Sequence, residues 1–152
     1  MQKIKTFLTF VDQAEEAARF YLSVFPNSRI GDIVPGMDGD ALVVNFQLAG
    51  QDYIALNSGS DFQFTNAISL FVTCEDQAEV DALWAKLTAG GGEEVACGWL
   101  KDRFGVSWQI VPRRMMELLS DPDPERSRRA FTAMTDMVKL DVAALERAAD
   151  GA

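Results

Sequence analysis

The chain has 152 residues, 48% of them hydrophobic and 24% charged, which suits one soluble globular domain or two small lobes sharing a core. Its 14 basic and 23 acidic residues give a net charge of −9, which argues against nucleic acid or an anionic membrane surface as a partner. It contains no histidine, so a Ser-His-Asp triad, a Cys-His dyad and a histidine-ligated metal centre are all excluded.

The N-terminal stretch MQKIKTFLTF lacks the apolar centre of a signal peptide, and no apolar run approaches the roughly 20 residues of a membrane span. A cytoplasmic location is the expectation. Cys74 and Cys97 form no metal-type pair, and two cysteines make no disulfide framework, so reduced thiols are expected.

In chain order, FLTF opens a strand, and Asp12 suits a helix N-cap with Glu15 three residues on, a capping-box spacing. Ala17, Phe20, Tyr21 and Val24 follow at helical period. Strands are predicted over 28–34, 41–48 and 51–57, the first two separated by the turn-rich PGMDGD. NSGSDFQF then reads as a polar loop.

The order repeats. FVTCEDQAEVDALW matches FLTFVDQAEEAARFY at an offset of 64 through Phe7/Phe71, Thr9/Thr73, Asp12/Asp76, Gln13/Gln77, Ala14/Ala78 and Glu15/Glu79. Val80, Leu83, Trp84 and Leu87 form the second helical stripe, at an offset of 63 from the first. AGGG stops that helix, and strands are predicted over 93–101 and 105–111, joined by a turn in KDRFG. GQDYIALN parallels GVSWQIVP at an offset of 55. Residues 113–152 form a helical extension: a short helix in RRMMELLS, a helix capped by Asp123 with Pro124 at its first position, and a last short helix capped by Asp141.

The fold class is therefore α+β, a duplicated βαβββ module (about 1–60 and 65–112) with C-terminal helices. This organisation, with DQAEEAARFYLSVFPNSRI, AISLFVTCEDQAEVDALWAKL and CGWLKDRFGVSWQIVP, resembles the glyoxalase/bleomycin-resistance/dioxygenase (vicinal oxygen chelate) superfamily. Within it the motifs resemble the PhnB-like branch, which carries the label 3-demethylubiquinone-9 3-methyltransferase. The resemblance implies two modules enclosing a cleft, a homodimer, and in metal-using members ligands on the first and last strands of each module. Those positions fall here near Lys5, Ile54, Ser69 and Gln109. A lone amide cannot hold a divalent ion, so no metal and no cofactor is expected. The only glycine cluster follows a helix and precedes a strand, the reverse of a nucleotide-binding loop, which disfavours the methyltransferase activity of the label.

Four residues are candidates for binding a small molecule. Gln109, between Trp108 and Ile110, faces the cleft together with Val111 if its neighbours face the helices. Otherwise it is a satisfied structural glutamine. Trp99 and Cys97 read as sharing one strand face, with a core tryptophan as the alternative. Asn57 ends the third strand beside the polar loop. The reading is a metal-free small-molecule-binding protein. The alternatives are a metal-dependent lyase or dioxygenase, the labelled methyltransferase, and an interaction protein whose cleft is filled.

Overall fold

Two sheets of the same topology account for all the strands. The computed structural model describes residues 1–152 and divides into two units, 1–63 and 64–152. In the first, strands β1 (Thr6–Phe10), β2 (Arg29–Pro35), β3 (Ala41–Leu48) and β4 (Gln51–Asn57) lie in the order β1-β4-β3-β2, with helix α1 (Ala14–Val24) after β1. In the second, β5 (Leu70–Cys74), β6 (Glu93–Glu94), β7 (Trp99–Lys101) and β8 (Ser107–Pro112) lie in the order β5-β8-β7-β6, with α2 (Gln77–Thr88) after β5. β1 pairs with β4, and β5 with β8, in parallel; the remaining pairings are antiparallel. The duplication expected from the sequence is thus present strand for strand.

Each helix buries its stripe on one face of its sheet. Ala17, Tyr21 and Val24 of α1, and Val80, Leu83, Trp84 and Leu87 of α2, are buried, while Phe20 is half-buried. On the facing strands, Leu8, Phe10, Val44, Phe46 and Ala55 close the first core, and Leu100, Trp108 and Ile110 the second. Burying one such side chain contributes about 1.5–3 kcal/mol.

The two helix starts differ. Asp76 accepts from the Glu79 backbone N–H at 2.9 Å, and Glu79 accepts in return from Glu75 N–H at 2.7 Å, a reciprocal cap. Asp12 does not cap α1, contrary to the sequence expectation. The N-cap residue is Gln13, without a side-chain bond, and the Ala14 N–H donates to Asn57 Oδ1 at 2.7 Å. An acceptor arriving from the end of β4 satisfies the donor that the local sequence would have assigned to Asp12.

The predicted strand 93–101 is broken. Cys97 and Gly98 take left-handed backbone angles, φ 60° and 82°, in a turn between β6 and β7. There the Cys97 and Gly98 N–H groups donate to the Met137 and Val138 carbonyls, each at 2.8 Å. A Cβ on Gly98 would lie 2.8 Å from a methyl of Leu140 and 3.0 Å from the Ile110 carbonyl, so only glycine fits.

Leu140 belongs to the segment before α5 (Val142–Asp150), the last of three tail helices after α3 (Arg113–Leu119) and α4 (Pro124–Thr135). Asp123 and Asp141 cap α4 and α5 as the sequence predicts. Val111, Met115, Leu118, Ala130, Leu140, Leu145 and Ala149 form one buried cluster. Gln77 ties the tail to α2: its Nε2 donates to the Leu140 carbonyl at 3.0 Å and its Oε1 accepts from Val142 N–H at 2.7 Å. Lys139 pairs with Asp81 at 2.7 Å.

Candidate functional site

The closing hairpin β7–β8 sets the geometry of the second unit's open face. Trp108 and Ile110 turn to the helix side and are 2% and 0% exposed. The Trp108 indole N–H donates to Asp102 Oδ2 at 2.8 Å, and Asp102 Oδ1 accepts from the Phe104 and Val106 N–H groups at 2.9 and 3.1 Å. That buried carboxylate fixes both the turn and the tryptophan. Side-chain alternation then puts Gln109 on the opposite face, half-buried.

Register supplies its neighbours. Gln109 lies across from Phe71 of β5 on one side and from Trp99 of β7 on the other. Phe71 is 50% exposed and Trp99 half-buried. Gln109 Nε2 donates to Ser69 Oγ at 2.8 Å. This bond orients the amide and leaves Oε1 without a partner in the chain; the Trp99 indole N–H also donates to no protein group. The face therefore presents one free acceptor and one free donor between aromatic rings.

Of the four sequence candidates, Gln109 and Trp99 come together as cross-strand neighbours. Cys97 does not share their strand; it stands in the preceding turn, with Sγ 4.0 Å from the Thr135 carbonyl of the tail. Asn57 belongs to the first unit and sits on its helix side. Its Oδ1 caps α1, and its Nδ2 donates to the Ala41 carbonyl at 2.9 Å. Val111, expected beside Gln109 on an open face, is 1% exposed because the tail cluster covers it. Phe71, not among the four sequence candidates, matches Phe7 of the repeat and holds the same position of the first strand. Cys74, in β5, is a closed thiol: burial, with a smaller contribution from the Glu79 carboxylate, pushes its pKa up to about 12.

The resemblance puts the ligands of metal-using members near four residues of this chain. In the first unit they are Lys5, whose ammonium pairs with Asp52 at 3.6 Å, and Ile54, an aliphatic side chain. In the second they are Ser69 and Gln109, already joined to each other. Neither pair offers a carboxylate, imidazole or thiolate, and no group of three or more Cys, Asp or Glu side chains in the chain is arranged to hold an ion. These residues do not fit a divalent metal.

A family model described as 3-demethylubiquinone-9 3-methyltransferase matches residues 2–111. The chain belongs to this family. A PhnB protein from Bacillus cereus bearing the same methyltransferase description is 37% identical, over 73% of this chain and 99% of that one, with a TM-score of 0.68. Protein PA1353 from Pseudomonas aeruginosa shares the fold at 17% identity, over 74% and 98% of the two chains, with a TM-score of 0.61. A glyoxalase/bleomycin resistance protein from Albidiferax ferrireducens T118 does so at 17% identity, over 72% and 96%, with a TM-score of 0.51. No curated protein matches the chain. The family match ends before α3, so the tail helices lie beyond it.

Proposed function

We propose that this family member is a metal-free small-molecule-binding protein that holds its ligand on the open face of the second unit. The observation that carries this reading is the arrangement of Gln109. Its amide is oriented by Ser69, its carbonyl is unused, and Phe71 and Trp99 stand on either side. Aromatic walls with a few placed polar groups are the usual make-up of a small-molecule site. The ligand chemistry that suits it is a flat ring edge carrying an N–H or O–H for Gln109 Oε1 and an acceptor for the Trp99 indole.

The methyl-transfer activity in the family description is not adopted. The turns leading from β1 to α1 and from β5 to α2 contain no glycine, and Gly90, Gly91 and Gly92 follow α2. A dinucleotide-type loop needs glycines between a strand and the helix it feeds. A cytoplasmic homodimer completes the proposal. Cys74 and Cys97 are both free thiols, which suits a reducing compartment, and exposed Phe7 of the first unit is apolar surface that a second copy can cover.

A thermal-shift screen against flat heteroaromatic metabolites tests the reading. A ligand at a hundredfold excess over Kd stabilises by about 2.7 kcal/mol. Hits should disappear in Gln109→Ala and Trp99→Ala. Hits indifferent to both changes, or a stoichiometric transition metal that survives dialysis, refute it.

A further inference from the structure

The open face of the first unit carries a different chemistry, and it does not depend on the reading of Gln109. Register lines up one polar row across β2, β3 and β4, and the residue before β1 extends it. Arg29 of β2 lies opposite Gln47 of β3, Gln47 opposite Asp52 of β4, and Lys5, one residue before β1, beside Asp52. A cavity of about 100 Å³ opens on this row, lined among others by Lys5, Arg29, Gly31, Asn45, Gln47 and Asp52.

The hydrogen bonds leave one cation unused. Asp52 Oδ1 accepts from Gln47 Nε2 at 2.9 Å, and its Oδ2 faces Lys5 Nζ at 3.6 Å. Those contacts occupy the only carboxylate in the lining, and Gln47 more than either cation holds that carboxyl below its ordinary range. The Arg29 guanidinium has no ion pair and no hydrogen bond to the rest of the chain. Two cations against one carboxylate give this cavity a net positive lining in a chain whose net charge is −9. The register of β2 shifts between Ile30 and Ile33, immediately after Arg29, and a bulge of this kind re-aims neighbouring side chains. A Cβ on Gly31 would come within 3.1 Å of the Asn45 carbonyl, so β2 runs close to β3 at the rim.

We propose that this row is an oxyanion-binding subsite, in which the Arg29 fork and the Lys5 ammonium take a carboxylate or phosphate group of a small molecule. A guanidinium fork matches two oxygens of such a group in one plane, and a neighbouring ammonium adds a point charge. The cavity is the size of the anionic group alone, so the remainder of the molecule lies outside it.

The test is an NMR titration of the full chain at low ionic strength, following the Arg29 Nε–H signal while inorganic phosphate or acetate is added. Saturable shifts with millimolar dissociation constants are expected for at least one probe. Saturation by phosphate alone assigns the subsite to a phosphoryl group; saturation by acetate alone assigns it to a carboxylate; saturation by both assigns it to oxyanions in general. Arg29→Gln and Lys5→Gln, read on backbone amides of β2 and β4, should each weaken binding by roughly tenfold, the scale of one charge-assisted hydrogen bond. Arg19→Gln, which removes a cation already held by Glu15, should leave it unchanged. The proposal is overturned if neither probe saturates, if chloride at equal ionic strength produces the same shifts, or if Arg19→Gln weakens binding as much as Arg29→Gln.

Discussion

Replacing Gln77 by alanine is expected to loosen the tail from the second unit. Gln77 opens α2, yet its amide reaches the segment before α5, giving one bond to the Leu140 carbonyl and taking one from Val142 N–H. Each bond contributes about 0.5–1.5 kcal/mol net, and a buried group left without a partner costs about 1–3 kcal/mol. Leu140 is 0% exposed, so its carbonyl has poor access to water, whereas half-buried Val142 can recover a water partner. The expected loss is about 2–4 kcal/mol for Gln77→Ala. Gln77→Glu keeps the acceptor for Val142 and loses the donor, so it should fall between wild type and alanine. Urea unfolding of the full chain measures the loss. Amide exchange at Val142 and Ala144 should speed up while Val44 in the first unit stays unchanged. A loss below about 0.5 kcal/mol with unaltered exchange would mean that the apolar cluster alone docks the tail, and that the two bonds merely replace equivalent bonds to water.

Three further outcomes follow from other contacts. Asn57→Ala removes the acceptor that caps α1 and should cost about 1 kcal/mol in chemical unfolding, while Asp12→Ala, which removes no cap, should cost less than half of that. With its pKa at about 12, Cys74 should resist a thiol reagent at pH 8 in the folded chain, where only about one molecule in ten thousand carries the thiolate, and should react after unfolding. The hydrogen bond from Gln47 chiefly holds the folded Asp52 carboxyl below its ordinary range, so any stability it contributes is present above its unfolded pKa and lost as pH falls through the folded value. A carboxyl titration by NMR should place its midpoint lower in wild type than in Gln47→Ala; equal midpoints would remove Gln47 as the cause.

Local patterns carried most of the fold into view. The strands predicted over 41–48 and 51–57 coincide with β3 and β4, and the reciprocal Asp76/Glu79 cap forms as its spacing requires. The departures are long-range in origin. Asp12 loses its role to Asn57, 43 residues along the chain from the Ala14 amide it caps, and strand 93–101 breaks because tail carbonyls claim the Cys97 and Gly98 amides. Neither partner is visible in the local sequence that it alters. The site was half legible for the same reason. Alternation along β8 put Gln109 opposite Trp108, but the pairing of β5 with β8 was needed to bring Phe71 and Ser69 beside it. The Arg29–Gln47–Asp52–Lys5 row draws on three strands and the residue before a fourth, and has no signature in any one of them.

The docking of the tail also bears on the order in which the molecule is made. Every residue of the first unit has been synthesised once residue 63 is joined, and its sheet can close then. The second unit has Val111 in its last strand but needs Leu140, Leu145 and Ala149 to cover it. At about 5–20 residues per second, several seconds separate those two events on the ribosome. For that interval the nascent second sheet has its hydrogen bonds but not its cover, and Val111 lies open to chaperones or to a neighbouring chain.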